Sequence, residues 1–130
     1  MLVDTSAWIE YLRGTGSETN VRVRAYHDHT DELAITEVVA MELLAGVRPG
    51  RDDDPRIRAI VTGLPLLSLN GLDDFETAAE LYRTCRRAGE TVRKLHDCVI
   101  AAVAIRNDVP VLHHDVDFEV LARHTSLQVV

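Results

Sequence analysis

Apolar residues in this chain fall into short runs set between polar caps. Residues 2–3, 33–35, 66–69, 109–112 and 127–130 are brief, mostly aliphatic segments, and each predicts a short strand. The stretches between them repeat apolar positions at helical spacing. Residues 7–13 predict a helix with Trp8, Ile9 and Leu12 inward and Gly14 just past its end. Residues 18–29 predict a polar helix with Val21, Val23 and Ala25 on a weak apolar side. Thr36 caps a helix that runs to Ala45 and stops at Gly46. Residues 48–53 read as a charged loop. Asp54 and Pro55 then open a helix carrying Ile57, Ile60, Val61 and Leu64 on one face. Asp73 and Glu76 resemble a capping box ahead of the stripe Phe75, Ala78, Ala79, Tyr82 and Cys85, which Gly89 ends. Residues 98–105 are apolar throughout and predict a central helix buried on all sides. Residues 117–123 predict a short last helix. The alternation implies an α/β fold: a mostly parallel sheet of about four to five short strands flanked by helices, in a single domain over residues 1–130.

Composition narrows this picture. A hydrophobic share of 46% with 27% charged residues fits a soluble domain with its own core, and no apolar run reaches membrane-spanning length. Cys85 and Cys98 both fall inside apolar helical patterns, so reduced core thiols in a cytoplasmic protein are expected rather than a disulfide framework. Folded sequence begins at Met1 with no stretch that reads as a signal peptide. The net charge of -7 argues against sequence-blind nucleic-acid binding through global charge, while leaving room for a local basic patch.

Candidate chemistry lies in the acids. Asp4 ends the first strand, at the sheet edge where α/β folds bind ligands. Asp is also a common cap or turn residue, and Thr5 or Ser6 can cap the helix that follows. Glu42 sits among Val38, Val39, Ala45 and Gly46, where a buried glutamate needs a partner, either an arginine or a cation. Glu37 lies on another face and reads as solvated. Asp97 opens the apolar helix above Ile100, Ala101 and Ala104, where an N-cap is the plainer role, though Ile100 stands where a capping box would want Glu or Gln. Asp115 and Asp117 follow the fourth strand, where turn and capping roles compete with ligation. A parallel sheet would gather these acids on one edge, and a cluster of that kind calls for a hard cation such as Mg²⁺ or Mn²⁺. His113 and His114 are adjacent in an extended segment and point to opposite faces, and no zinc, dinucleotide, P-loop or serine-hydrolase motif is present.

The chain resembles the PIN-domain ribonucleases, specifically VapC-type toxins of bacterial toxin–antitoxin pairs. The matching pieces are MLVDTSAWIEYL, ITEVVAMELLAGV, LHDCVIAAVA and VLHHDVDFEVLA, in order and at family spacing along nearly the whole chain. The resemblance places the family's acids on Asp4, Glu42, Asp97 and Asp115, with Asp117 a second-line metal ligand. The small hydroxyl after the first acid falls on Thr5 and Ser6, Ser6 being the preferred site residue. The family usually carries Thr or Ser two residues before the fourth acid, where this chain has His113. The resemblance implies an endoribonuclease dependent on Mg²⁺ or Mn²⁺, with one or two ions. It implies a homodimer, an RNA substrate such as tRNA or an rRNA loop, and neutralisation by a VapB-type antitoxin. Such an antitoxin would cover apolar helix surface at Val38, Val39, Ile57 and Val61 and set a basic side chain among the acids.

RNA must be held by positive charge, and Arg83, Arg86, Arg87, Arg93 and Lys94 cluster ahead of Asp97 with only Glu90 opposing them. A solvated helix end is the plainer reading of the same residues. Two other classes stay in view. An inactive PIN-like binding module is opposed by the presence of all four acids. A receiver-like phosphoacceptor domain would need an Asp ending a middle strand, which residues 66–69 lack.

Overall fold

The computed structural model describes residues 1–29, 31–46 and 54–130. The charged loop expected at 48–53 lies outside the described residues. Elements run β1 (Leu2–Val3), α1 (Thr5–Arg13), α2 (Glu18–His29), α3 (Glu37–Ala45), α4 (Pro55–Gly63), α5 (Gly71–Arg87), α6 (Leu95–Arg106), β2 (Val111–Leu112) and α7 (Val116–His124).

The sheet is parallel but smaller than expected. β1 pairs with β2 in the register Leu2 to Val111 and Val3 to Leu112. Two regular strands are present among the described residues, not four to five. The other three segments contribute single parallel bridges, Leu2 with Ala34, Ile35 with Leu66 and Val111 with Val129. Proline explains part of the shortness. Pro110 and Pro65 accept from Leu2 and Ile35 at 2.9 and 3.0 Å but have no N–H to extend the ladder.

The core forms around α6. Every residue from Asp97 to Ala104 is buried, as the unbroken apolar run requires, and α5, α7 and α3 pack against this helix. Several boundaries differ from expectation because side chains cap earlier than the pattern suggests. Asp4 itself is the N-cap of α1, accepting from Ser6 N at 2.9 Å, so the helix starts at Thr5. Asp115 likewise caps α7 through Asp117 N. Asp54 caps α4 as expected. α5 begins at Gly71, so Asp73 and Glu76 form no capping box. Asp74 accepts from Asn70 N at 2.7 Å instead. Phe75, expected inward, is 49% exposed. Glu37 is not free in solvent either: its carboxylate accepts Leu69 N at 2.9 Å.

Buried Asp74 also grips Arg106, with Nε to Oδ1 at 2.9 Å and Nη2 to Oδ2 at 2.8 Å, while Nη2 bonds the Ser68 carbonyl. This pair ties the start of α5 to the end of α6. Asp74→Ala leaves a backbone N–H and a guanidinium without their acceptor, at a cost of roughly 2–3 kcal/mol. Urea unfolding measures it, and a loss below about 0.5 kcal/mol would mean the pair is only a surface contact.

Candidate metal centre

The parallel register sends the carboxyl ends of β1 and β2 to one edge. Asp4 follows Val3 there, and Asp115 follows Leu112 by three residues. α3 starts from the same edge, after the Ile35 bridge, and carries Glu42. Asp97 sits in the first turn of α6. Oxygens of Asp97, Asp115 and Asp117 lie within 4.8 Å of one another. Asp4 and Glu42 are not part of that tight group but are electrostatically joined to it. Asp4 acts on both Asp97 and Glu42.

Burial pushes the Asp97 carboxyl up to about 8, and the negative charge of Asp4 adds to the effect. Glu42 is raised for the same reasons, burial first, with His96 opposing and Asp4 reinforcing. Asp115 and Asp117 behave in the opposite way. Burial alone would raise them, but hydrogen bonds outweigh it and hold both below the usual carboxylate range. Asp117 accepts Arg93 N at 3.1 Å and Lys94 N at 3.0 Å, and Arg93 Nε binds it at 3.1 Å. Asp115 accepts Arg93 Nη2 at 2.9 Å and the Lys94 ammonium.

The donor set fits a hard cation. Among the described residues, Asp4 Oδ1, Glu42 Oε1 and Asp97 Oδ2 are buried with no hydrogen-bond partner. Three unpartnered carboxylate oxygens from three separate elements are costly unless a positive ion completes them.

The supporting residues sort by contact. Ser6 Oγ donates to Asp4 Oδ2 and accepts His114 N at 2.9 Å, so it fixes Asp4 against the turn after β2. His113, standing where the family has Thr or Ser, is buried. Its Nδ1 accepts Asp115 N at 3.2 Å, its Nε2 lies 3.2 Å from Glu119, and its ring packs on Phe118. Burial lowers its pKa, so it serves as a neutral acceptor that shapes the Asp115 turn. His96 was not singled out by the sequence pattern, yet its Nε2 lies 3.6 Å from both Glu42 and Asp97. Its place beside Asp97 in LHDC was the available signal.

The basic residues divide. Arg93 and Lys94 are occupied by Asp115 and Asp117, whereas Arg83, Arg86 and Arg87 are exposed on α5. Glu90 does not oppose them: it pairs with Arg123 and sits near His124.

Residues 1–124 match the PIN domain family. The chain belongs to the PIN-domain family. It is 47% identical over 131 residues to Ribonuclease VapC11 of Mycobacterium tuberculosis and to a VapC ribonuclease of Mycobacterium bovis, covering 98% of this chain and 96% of each relative. VapBC-5 of M. tuberculosis, from a family of toxin–antitoxin systems, superposes with a TM-score of 0.70 at 25% identity over 99% of this chain and 95% of that one. VapBC2 of Rickettsia felis, bound to promoter DNA, gives 0.75 at 14% identity over 99% and 96%, a likeness of fold. The expected resemblance to VapC-type PIN ribonucleases is thereby established.

Proposed function

We propose that this PIN-domain protein is an endoribonuclease toxin that hydrolyses RNA with Mg²⁺ or Mn²⁺ and is silenced by a cognate VapB-type antitoxin. The observation that carries the reading is the set of unpartnered, buried oxygens on Asp4, Glu42 and Asp97 beside Asp115. These residues would hold one or two divalent ions. When bound, such an ion supplies positive charge for the phosphate oxygens and for the leaving 3′ oxygen. Glu42, raised by burial, is the group placed to orient the attacking water and accept its proton. Lys94 and Arg93 hold Asp115 in place beside the other acids. Attack by water breaks the bond from phosphorus to the 3′ oxygen and leaves a 3′-hydroxyl and a 5′-phosphate. A structured RNA, tRNA or an rRNA loop, is the substrate class.

The antitoxin reading is supported by a cavity of about 200 Å³ lined by apolar Ile9, Leu12, Leu43 and Ile57 together with Thr5, Arg13 and Glu42. A basic side chain entering from it would meet the unpartnered Glu42 oxygen. Val39 is fully buried and takes no part, while Val38, Ile57 and Val61 are partly accessible. A homodimer is supported by exposed Phe75 and Leu95 along an apolar cleft of about 410 Å³ between α5 and α6. Free buried thiols fit action in the cytoplasm, and no described helix is long and apolar enough to cross a membrane.

Incubation with total tRNA and rRNA, with Mg²⁺ or with EDTA, tests the reading. Cleavage in Mg²⁺ should fall to background in EDTA, and end-labelling should find 5′-phosphates. Cleavage that persists in EDTA, or 2′,3′-cyclic ends, would remove the metal-assisted mechanism.

A further inference from the structure

A second groove adjoins the acids and has no part in the chemistry above. It has a volume of about 370 Å³ and is lined by Tyr82, Arg83 and Arg86 of α5, by Arg93, and by Val92 and Leu95. Three arginines and, among the described residues, no acidic residue line it, in a chain whose net charge is -7. Arg83 and Arg86 form no ion pair with any described residue. Arg86 instead lies over the Tyr82 ring, 5.6 Å from its centroid. Arg93 is the wall shared with the metal centre, since its guanidinium reaches Asp115 and Asp117.

A helix end bathed in solvent does not account for this arrangement. The macrodipole favours cations within the last turn of α5, which suits Arg86 and Arg87. Arg93 comes from a different segment and lines the same groove. Val92 gives the groove an apolar side. An aromatic face, an apolar side and several planar forks fit a ligand that is flat, apolar on its faces and anionic at its edge. A nucleotide has that chemistry. A base paired in a duplex cannot lay its face on a side chain, so the nucleotide must be unpaired.

We propose that the Tyr82–Arg83–Arg86 groove is a binding subsite for one unpaired nucleotide of the RNA substrate. Its base stacks on Tyr82 in the place Arg86 now occupies, and Arg83 and Arg86 bind its phosphates. The proposal rests on the ribonuclease reading and deepens it: the substrate presents an unstacked base a short distance along the strand from the scissile phosphate.

The test uses the full chain carrying Asp97→Asn, in EDTA, so that no RNA is cut. Two probes are compared, a single-stranded adenosine decamer and a ribose–phosphate decamer without bases. The base-bearing strand should bind about tenfold more tightly. Tyr82→Leu should remove that advantage and leave the base-free strand unaffected, and Tyr82→Phe should restore it. Arg83→Gln with Arg86→Gln should weaken both strands and reduce the log–log salt dependence by roughly 1.4. Equal binding of the two probes by the Asp97→Asn protein overturns the proposal without any groove variant having to fold. So does an equal effect of Tyr82→Leu on both strands. Sedimentation supplies a third overturning result: if Tyr82→Leu dissociates a dimer, the groove is a contact between copies. Wild-type cleavage of RNA separates the two readings. RNA cut by wild type and by Tyr82→Leu with the same KM refutes the subsite alone, whereas no cutting and no binding refutes the ribonuclease reading.

Discussion

Asn in place of Asp97 is expected to abolish RNA cleavage and growth toxicity while the metal-free protein stays at least as stable as wild type at pH 7. The side chain is 2% exposed, and its folded pKa of about 8 stands far above the ordinary 3.8 because of burial and the charge of Asp4. Between these two values the unfolded chain has released a proton that the folded chain still holds. Stability from this group is complete below about pH 4 and declines as pH rises, by up to about 1.4 kcal/mol per pH unit, until pH passes the folded pKa. The total is on the order of a few kcal/mol. Asn resembles the protonated acid and does not titrate. Buried His113 titrates in both proteins and cancels in their difference, which reports Asp97 together with the charged groups coupled to it, Asp4, Lys94, Asp115 and Asp117. Denaturant unfolding in EDTA at pH 5, 6, 7 and 8 should show wild type losing stability relative to Asp97→Asn across that window. Metal ligation needs the ionised carboxylate. The rise in Tm on adding 10 mM Mg²⁺, a concentration on the order of that needed for weak carboxylate sites, should grow from pH 6 to pH 8 in wild type and be small in the variant. A difference between the proteins that is flat with pH would place Asp97 outside a shared acidic centre.

How far the sequence disclosed this site depends on the kind of signal each residue carries. Asp4 and Asp115 were legible because each follows a short aliphatic run, and a parallel sheet brings such ends together. Asp97 was legible because it stands at the head of an unbroken apolar run without the capping-box partner that a plain N-cap would favour, Ile100 taking that place. The helix starts were less legible. Asp4 and Asp115 supply the cap themselves, so α1 and α7 start earlier than the apolar spacing indicates. Strand number was overread, because a segment such as 66–69 has the composition of a strand but pairs through a single bridge. The stripe on α5 identified an apolar face without saying what covers it. Ala78 and Cys85 are buried by α6, yet Phe75 of the same stripe is left to solvent. Least legible were contacts between distant segments. The run Arg93–Lys94 reads as a substrate patch, and nothing local signals that Asp117, over twenty residues on, accepts both its backbone N–H groups. His96 reaches Glu42 by the same kind of long-range packing.

Asp117 separates a structural acid from a ligating one, and Asp117→Asn is expected to destabilise the protein by roughly 3 kcal/mol where Asp97→Asn does not. Both Asp117 oxygens are committed: Oδ1 to Arg93 N and Nε, Oδ2 to Lys94 N. The residue is buried, so water cannot take over either bond. An amide there must turn its NH₂ toward one of the two backbone N–H groups, leaving a donor facing a donor. The 93–94 turn then loses its anchor, and with it the alignment of Lys94 on Asp115 and the approach to α6. The pH dependence has the opposite sign to that of Asp97. Hydrogen bonds hold the Asp117 carboxyl below its ordinary value, so its contribution is present above about pH 4 and lost as pH falls through the folded pKa. Urea unfolding of wild type, Asp117→Asn and Asp97→Asn at pH 7 in EDTA, repeated with Mg²⁺, distinguishes the roles. Asp117→Asn should start lower yet keep most of the gain from Mg²⁺, because the unpartnered oxygens on Asp4, Glu42 and Asp97 remain. Should it instead lose less than about 1 kcal/mol in EDTA and forfeit the Mg²⁺ gain, Asp117 is a metal ligand first and an anchor of the turn second.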